Sequence, residues 1–211
     1  MMCKFVVQKN FSRALQFTLV FCAIAWCRST DFVLMLDRYY YAKALVPSAS
    51  SAWILFWEAV SLLGNGWCIY PVLILVLYTL SQRLKINLRP YLGLLGFLIL
   101  ALLSNAVLKK IFHLPRPVSL SPYTDLTSYT FPSGHSFNAV LACFFFPQFL
   151  KQFMKIDLYQ NKFFAITAAL ILVMIATSRV LLGAHWVSDV VGGVVWGFAA
   201  SYFLLCYKEQ P

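Results

Sequence analysis

Three clusters of polar residues interrupt an otherwise apolar chain. The stretch Ser178–Asp189, SRVLLGAHWVSD, carries Arg179, His185 and Asp189. Ionisable groups at membrane depth are costly, so function is their default reading. His185 and Asp189 stand four positions apart; on a helix they share a face, where a carboxylate holds an imidazole in one tautomer and stabilises its charged form. That is the layout of an activated nucleophile or base, and a salt bridge joining two helices is the structural alternative. The other clusters are Lys109, six intervening residues and Arg116-Pro117, and then Pro132-Ser133-Gly134-His135.

Together these residue types suit a phosphate. Two arginines offer planar forks for bidentate contact with phosphate oxygens, and Lys109 adds a point charge, so three cations can neutralise a dianion and the charge of its transition state. Backbone N–H groups around Ser133 and Gly134, at a helix start, add an anion site, and Gly134 permits close approach. His185, oriented by Asp189, can attack phosphorus to give a phosphohistidine, while His135 protonates the departing oxygen and then activates water.

The elements that must position these groups are membrane helices. The 211 residues are 61% hydrophobic and 11% charged, far from soluble-protein averages. The net charge of +10 sits mostly between apolar runs, where basic residues set topology and meet anionic headgroups, so nucleic acid is discounted as a partner. Cys3, Cys22, Cys27, Cys68, Cys143 and Cys206 show no CxxC spacing and read as small buried hydrophobes. The basic N-terminus before an apolar run lacks a small-x-small cleavage site, so it reads as a retained span.

The expected fold is an all-α bundle of six transmembrane helices in a single domain over residues 1–211, with the motifs between 109 and 189. The spans are expected near Phe11–Cys27, Trp67–Leu80, Tyr91–Leu108, Ser133–Leu150, Phe163–Thr177 and Val187–Leu205. Between spans one and two, Arg28–Asn65 reads as two short interfacial or re-entrant helices, with Ala52–Leu63 on or dipping into the bilayer. On this topology Lys4, Lys9, Arg13, Arg83, Lys85, Arg89, Lys151, Lys155, Lys162 and Lys208 share one side, and five of the seven acids, Asp125 among them, lie opposite. The positive-inside rule makes the basic side, with both termini, cytoplasmic, and turns all three clusters to the outer face.

The motifs resemble those of the type 2 phosphatidic acid phosphatase superfamily: a Lys, six residues, Arg-Pro; Pro-Ser-Gly-His; and Ser-Arg, five residues, His, three residues, Asp, here all present in order. The resemblance implies His185 as nucleophile, Asp189 as its partner and His135 as acid, with Lys109, Arg116, Ser133, Gly134 and Arg179 binding phosphate and no metal or other cofactor required. It also implies a lipid phosphate substrate, hydrolysed in the outer leaflet of a bacterial cytoplasmic (inner) membrane. Phosphatidylglycerophosphate, phosphatidic acid, undecaprenyl diphosphate and the 1-phosphate of lipid A all fit. A lipid phosphotransferase on the same fold and a non-enzymatic lipid or anion transporter are the rivals; the related vanadium haloperoxidases are soluble.

Other residues carry plainer expectations. His113 is a solvated or locally bonded loop histidine or touches a headgroup, Lys110 is an interfacial snorkelling lysine, and Glu58 makes an interfacial ion pair or hydrogen bond or contacts substrate. Tyr123, Tyr129 and Phe131 are interfacial anchors or line a lipid entrance, and Phe144-Phe145-Phe146 is lipid-facing or packing surface.

Overall fold

The computed structural model describes residues 2–44, 50–83, 85, 92–119 and 128–208. Arg89, Tyr91, Tyr123, Asp125 and Glu209 lie outside them. Among the described residues all regular structure is helical: α1 Met2–Cys27, α2 Asp31–Ala44, α3 Ser51–Leu62, α4 Gly66–Arg83, α5 Leu92–Phe112, α6 Gly134–Met154, a short 3-10 turn at Leu158–Gln160, α7 Lys162–Leu181 and α8 Val187–Lys208. Three segments are individually long and apolar enough to cross a membrane, Leu95–Phe112, Lys162–Leu181 and Val187–Cys206. Two bent pairs, Val6–Cys27 with Asp31–Ala44 and Ser51–Leu62 with Gly66–Arg83, meet the same measure jointly. The protein is an all-α, multi-pass membrane protein, as its composition required. Two short helices do separate α1 from α4, where the sequence placed them.

Helix α8 is the centre of the bundle. Half of its spanning window is buried, against 17% for α5 and α7. Its lower half joins a core where α4, α5, α6 and α8 meet, built from Tyr70, Leu98, Ala101, Phe137, Leu141, Phe145, Ala200 and Leu204. Against its other side α1 lays Phe17, stacked on Phe198 at 5.2 Å and on Tyr202 at 5.6 Å. Outward faces carry Leu19, Leu100, Ile166 and Val173, all exposed, as lipid-facing surfaces do. Cys22, Cys27 and Cys68 are also exposed, so the expectation that the cysteines are buried is corrected: they lie on outward faces of apolar helices, where a small apolar side chain is equally at home.

Close approach of α6 to α8 brings two of the sequence clusters together. A Cβ on Gly193 would collide with the carbonyl oxygen of Ser133, and small residues let membrane helices meet backbone to backbone. The start of α6 is further tied to α8 by the Ser133 N–H, which donates to the Asp189 carbonyl at 2.9 Å.

Three local outcomes depart from expectation. Helix α5 continues a turn past Leu108, so Lys109 and Lys110 lie in its last turn, a placement favoured by the helix dipole. Phe112 anchors that turn by packing on Phe131 and Phe21, and His113, at φ 50°, ends it in a left-handed cap. Phe131 is neither an anchor nor an entrance residue, because it is fully buried in that aromatic cluster. Arg28, expected to open the interfacial region after span one, is 2% exposed: α1 and α2 meet at 87°, which folds Arg28 inward beneath the start of α8.

Substituting Gly193 by Ala is expected to lower stability in detergent by roughly 1–3 kcal/mol, the cost of overpacking. Gly96→Ala, in α5 with nothing within 4 Å of the new methyl, should instead be neutral or gain up to about 1 kcal/mol. Thermal unfolding of the two variants beside the parent checks the pair.

Candidate active site

The turn between α7 and α8 sets His185. Gly183 takes φ 67°, a conformation natural to glycine, and a Cβ there would stand 2.6 Å from the Val118 oxygen. Around it the chain closes as a Schellman cap, with the Ala184 N–H donating to the Arg179 carbonyl at 3.0 Å and the Gly183 N–H to that of Val180 at 3.0 Å. The His185 N–H also reaches the Arg179 carbonyl, at 3.1 Å. One turn therefore ties the backbone of Arg179 to that of His185.

Asp189 is set by the start of α8. It sits in the first turn, and its Oδ2 accepts from the Trp186 N–H at 2.8 Å, one half of a capping box. Asp37, arriving from α2, accepts from the Ser188 N–H at 3.0 Å and from its hydroxyl at 2.5 Å. Two carboxylates thus occupy the positive end of one helix. Between them lies Arg28, with Nε 3.4 Å from Asp37 and 3.6 Å from Asp189.

His185 and Asp189 are 2% and 0% exposed, and His185 Nδ1 lies 3.6 Å from Asp189 Oδ2. Thr130 stands between them, with its hydroxyl oxygen 3.0 Å from Nδ1 and a short hydrogen bond to Oδ2. On the far side of the ring, Arg116 Nη1 is 3.4 Å from Nε2. The Arg116 guanidinium is held by the Ser128 carbonyl at 2.7 Å, the Ser128 hydroxyl at 2.8 Å and the Ala184 carbonyl at 2.9 Å. Lys109 Nζ donates to the carbonyls of Tyr129 and Thr130 at 2.8 and 3.2 Å. Arg179 is 5% exposed and bonds the Ser61 hydroxyl of α3.

Lys109, Arg116, Gly134, His135, Arg179 and His185 line one cavity of about 650 Å³. Its remaining wall includes Leu62, Trp67, Tyr70, Pro71, Ile74 and Leu102, so the cationic groups share a space with apolar surface. Asp189 lies behind His185 and not on the cavity. Ser133 is also fully buried, its N–H committed to Asp189 and its side chain to Ser136. The backbone anion site at the α6 start therefore falls to Gly134 and the residues after it. Glu58 also lines the cavity, where the sequence offered a substrate contact as well as an ion pair. His113 packs its ring on Tyr129 at 4.4 Å, locally bonded as expected. Among the described residues no group of three or more histidine, cysteine, aspartate or glutamate side chains is placed for a metal ion.

Sequence reasoning missed Thr130, Ser128, Arg28 and Asp37. None belongs to the spaced motifs, and only the bend between α1 and α2 brings the last two under α8. The one available signal was that Arg28 and Asp37 are ionisable groups flanking apolar runs, where a buried partner is the usual requirement.

Three cations and two histidines share a cavity part-walled by apolar side chains on a bundle of membrane helices, an arrangement suited to an anionic group on an apolar molecule. The family model of the PAP2 superfamily matches residues 90–210, more than half of the chain, and the chain belongs to that superfamily. Phosphatidylglycerophosphatase B of Bacillus subtilis (strain 168) is 34% identical over 108 residues, 51% of this chain and 53% of that protein; the chain matches about half the length of this relative. The crystal structure of a transmembrane PAP2-type phosphatidylglycerolphosphate phosphatase from Bacillus subtilis is similar over 93% of this chain and 96% of that one, with 27% identity and a TM-score of 0.81. The crystal structure of Aquifex aeolicus LpxE shares the fold, with a TM-score of 0.55 and 21% identity over 84% of this chain and 97% of that one.

Burial, reinforced by Lys109, Arg179 and Arg116, holds the His185 imidazole well below the usual histidine range. The folded state therefore keeps it neutral where the unfolded chain, near 6.5, takes up a proton. Stability is lost as pH falls below that unfolded value, by up to about 1.4 kcal/mol per pH unit. His185→Gln should lose less thermal stability between pH 7 and pH 5 than the parent, and equal losses would show that another group carries the dependence.

Removing Arg28 leaves two buried carboxylates without their shared cation. Arg28→Met is expected to destabilise by about 3–5 kcal/mol, and Arg28→Met with Asp37→Asn to recover part of it. Unfolding in detergent measures both.

Proposed function

We propose that the protein is a lipid phosphatase whose substrate is a phosphomonoester, with phosphatidylglycerophosphate the first candidate. The observation that carries this reading is the convergence of Lys109, Arg116, Arg179, His135 and His185 on a single cavity part-walled by apolar side chains. A phosphate headgroup satisfies the cations and an attached acyl chain the apolar wall. The choice of phosphatidylglycerophosphate draws on the names of the two Bacillus subtilis relatives. Phosphatidic acid, undecaprenyl diphosphate and lipid A 1-phosphate present the same terminal phosphate and remain comparison substrates.

In the proposed mechanism Arg116, Arg179 and Lys109 hold the phosphate oxygens and offset the charge that grows on them in the transition state. His185 Nε2 attacks phosphorus in line, the bond to the lipid oxygen breaks, and His135 gives that oxygen its proton. The resulting phosphohistidine is hydrolysed by a water that surrenders its proton to His135, releasing phosphate and restoring both histidines. Asp189 stabilises the imidazolium formed at His185. The protein lies in the cytoplasmic membrane as a single domain of six spans, α1, α4, α5, α6, α7 and α8, with both termini cytoplasmic and the site facing outward, on the support of the loop charges.

Purified protein in detergent with EDTA should release inorganic phosphate from phosphatidylglycerophosphate faster than from the other three lipids, and His185→Ala should lower the rate by at least about 10³-fold. A folded parent that releases none from any of the four would contradict the reading. Appearance of the phosphate on a second lipid in place of water would point to a transferase.

A further inference from the structure

We infer that Thr130 is a positioning residue of the His185–Asp189 pair, its hydroxyl bridging the two side chains and fixing the imidazole in the tautomer that leaves Nε2 free for attack. The inference rests on the proposed role of His185 as nucleophile and extends it to a residue outside the three spaced motifs.

The direct separation of His185 Nδ1 from Asp189 Oδ2, 3.6 Å, is too long for a hydrogen bond. Thr130 Oγ1 is 3.0 Å from Nδ1 and makes the short bond to Oδ2. The proton order follows from the partners. Asp189 Oδ2 also accepts from the Trp186 N–H, and the positive charge of Arg28 stands 3.6 Å from Oδ1, surroundings that suit an ionised carboxylate, which only accepts. The single hydroxyl proton of Thr130 is therefore given to Asp189, and its lone pair accepts from Nδ1–H. The other side of the ring gives the same answer independently, because Arg116 Nη1, 3.4 Å from Nε2, can only donate, so Nε2 must carry the lone pair.

Thr130 is itself held in place. It is fully buried, its N–H donates to the Leu114 carbonyl at 3.0 Å, and its carbonyl accepts from Lys109 Nζ at 3.2 Å. The backbone that carries the hydroxyl is therefore anchored on both sides. When Nε2 bonds to phosphorus and the lipid oxygen leaves with the proton from His135, Nδ1–H stays on the ring. The positive charge then meets Asp189 through the Thr130 hydroxyl, one hydrogen bond removed.

The test uses full-length purified protein with phosphatidylglycerophosphate in mixed micelles, comparing Thr130→Val, Thr130→Ala and Thr130→Ser. Val and Ala remove the hydroxyl with opposite steric errors, and Ser restores it. Val and Ala should lower kcat by roughly 10²-fold with KM within about two-fold, and Ser should stay within about five-fold of the parent. In an Asp189→Asn background, Thr130→Val should add less than about two-fold, because the bridge already lacks its carboxylate end. If Val misfolds by elution profile or thermal unfolding, the ratio of Ser to Ala decides. Near-parental kcat in the hydroxyl-free variants, a Ser variant as slow as Ala, or full additivity with Asp189→Asn would each overturn the inference. His185→Ala run in parallel separates the two levels: phosphate release by that variant would defeat the nucleophile reading, whereas an inactive His185→Ala beside an active Thr130→Val would defeat the bridge alone.

Discussion

Like charges brought together inside a protein repel, and the site of this chain holds Lys109, Arg116 and Arg179 around one buried imidazole. Without a bound anion that arrangement is costly, since each cation has surrendered water and faces other cations. The fold offsets the cost with fixed acceptors. Backbone carbonyls of Tyr129, Thr130, Ser128 and Ala184 take the hydrogen bonds of Lys109 and Arg116, and Ser61 takes one from Arg179. These acceptors are neutral and leave the positive field in place, apart from the contribution of Glu58, which also lines the cavity. In the proposed mechanism a phosphate entering the cavity meets charge already in place, which is the condition for stabilising its transition state with little reorganisation.

The same constraint explains the second tier of the site. In the proposed mechanism Asp189 supplies negative charge to His185, but two carboxylates at the start of α8 would repel each other without Arg28 between them. That arginine comes from the end of α1 and Asp37 from α2, so the N-terminal third of the chain, outside the matched family region, supports the dyad electrostatically. The close contact of Gly193 with Ser133 then holds the start of α6, which carries His135, against α8.

How much of this was legible in the sequence differs by feature. Hydropathy and loop charge gave the helical membrane class and the order of the long helices, because a bilayer forces every backbone group into such structure. The spaced motifs gave Lys109, Arg116, His135, Arg179 and His185, which do converge on one cavity. Ser133 lies behind the cavity because its N–H faces α8, an orientation that spacing along a chain does not encode. Arg28, Asp37 and Thr130 were hidden for a related reason: their partners lie on other helices, and the 87° bend that turns α2 beneath α8 leaves no periodic trace. Phe131 read as interfacial because an aromatic beside polar residues usually is, yet its neighbours Phe21 and Phe112 come from other helices and enclose it.

In the proposed mechanism phosphate passes through a covalent bond to His185. Rapid acid-free quenching of the purified protein during turnover of a lipid labelled with radioactive phosphate tests it most directly. Protein-bound label should survive alkali, be lost in acid as phosphohistidine is, map to the peptide containing His185 and be absent from His185→Ala. Normal turnover with no bound label, or label on a different residue, would contradict it.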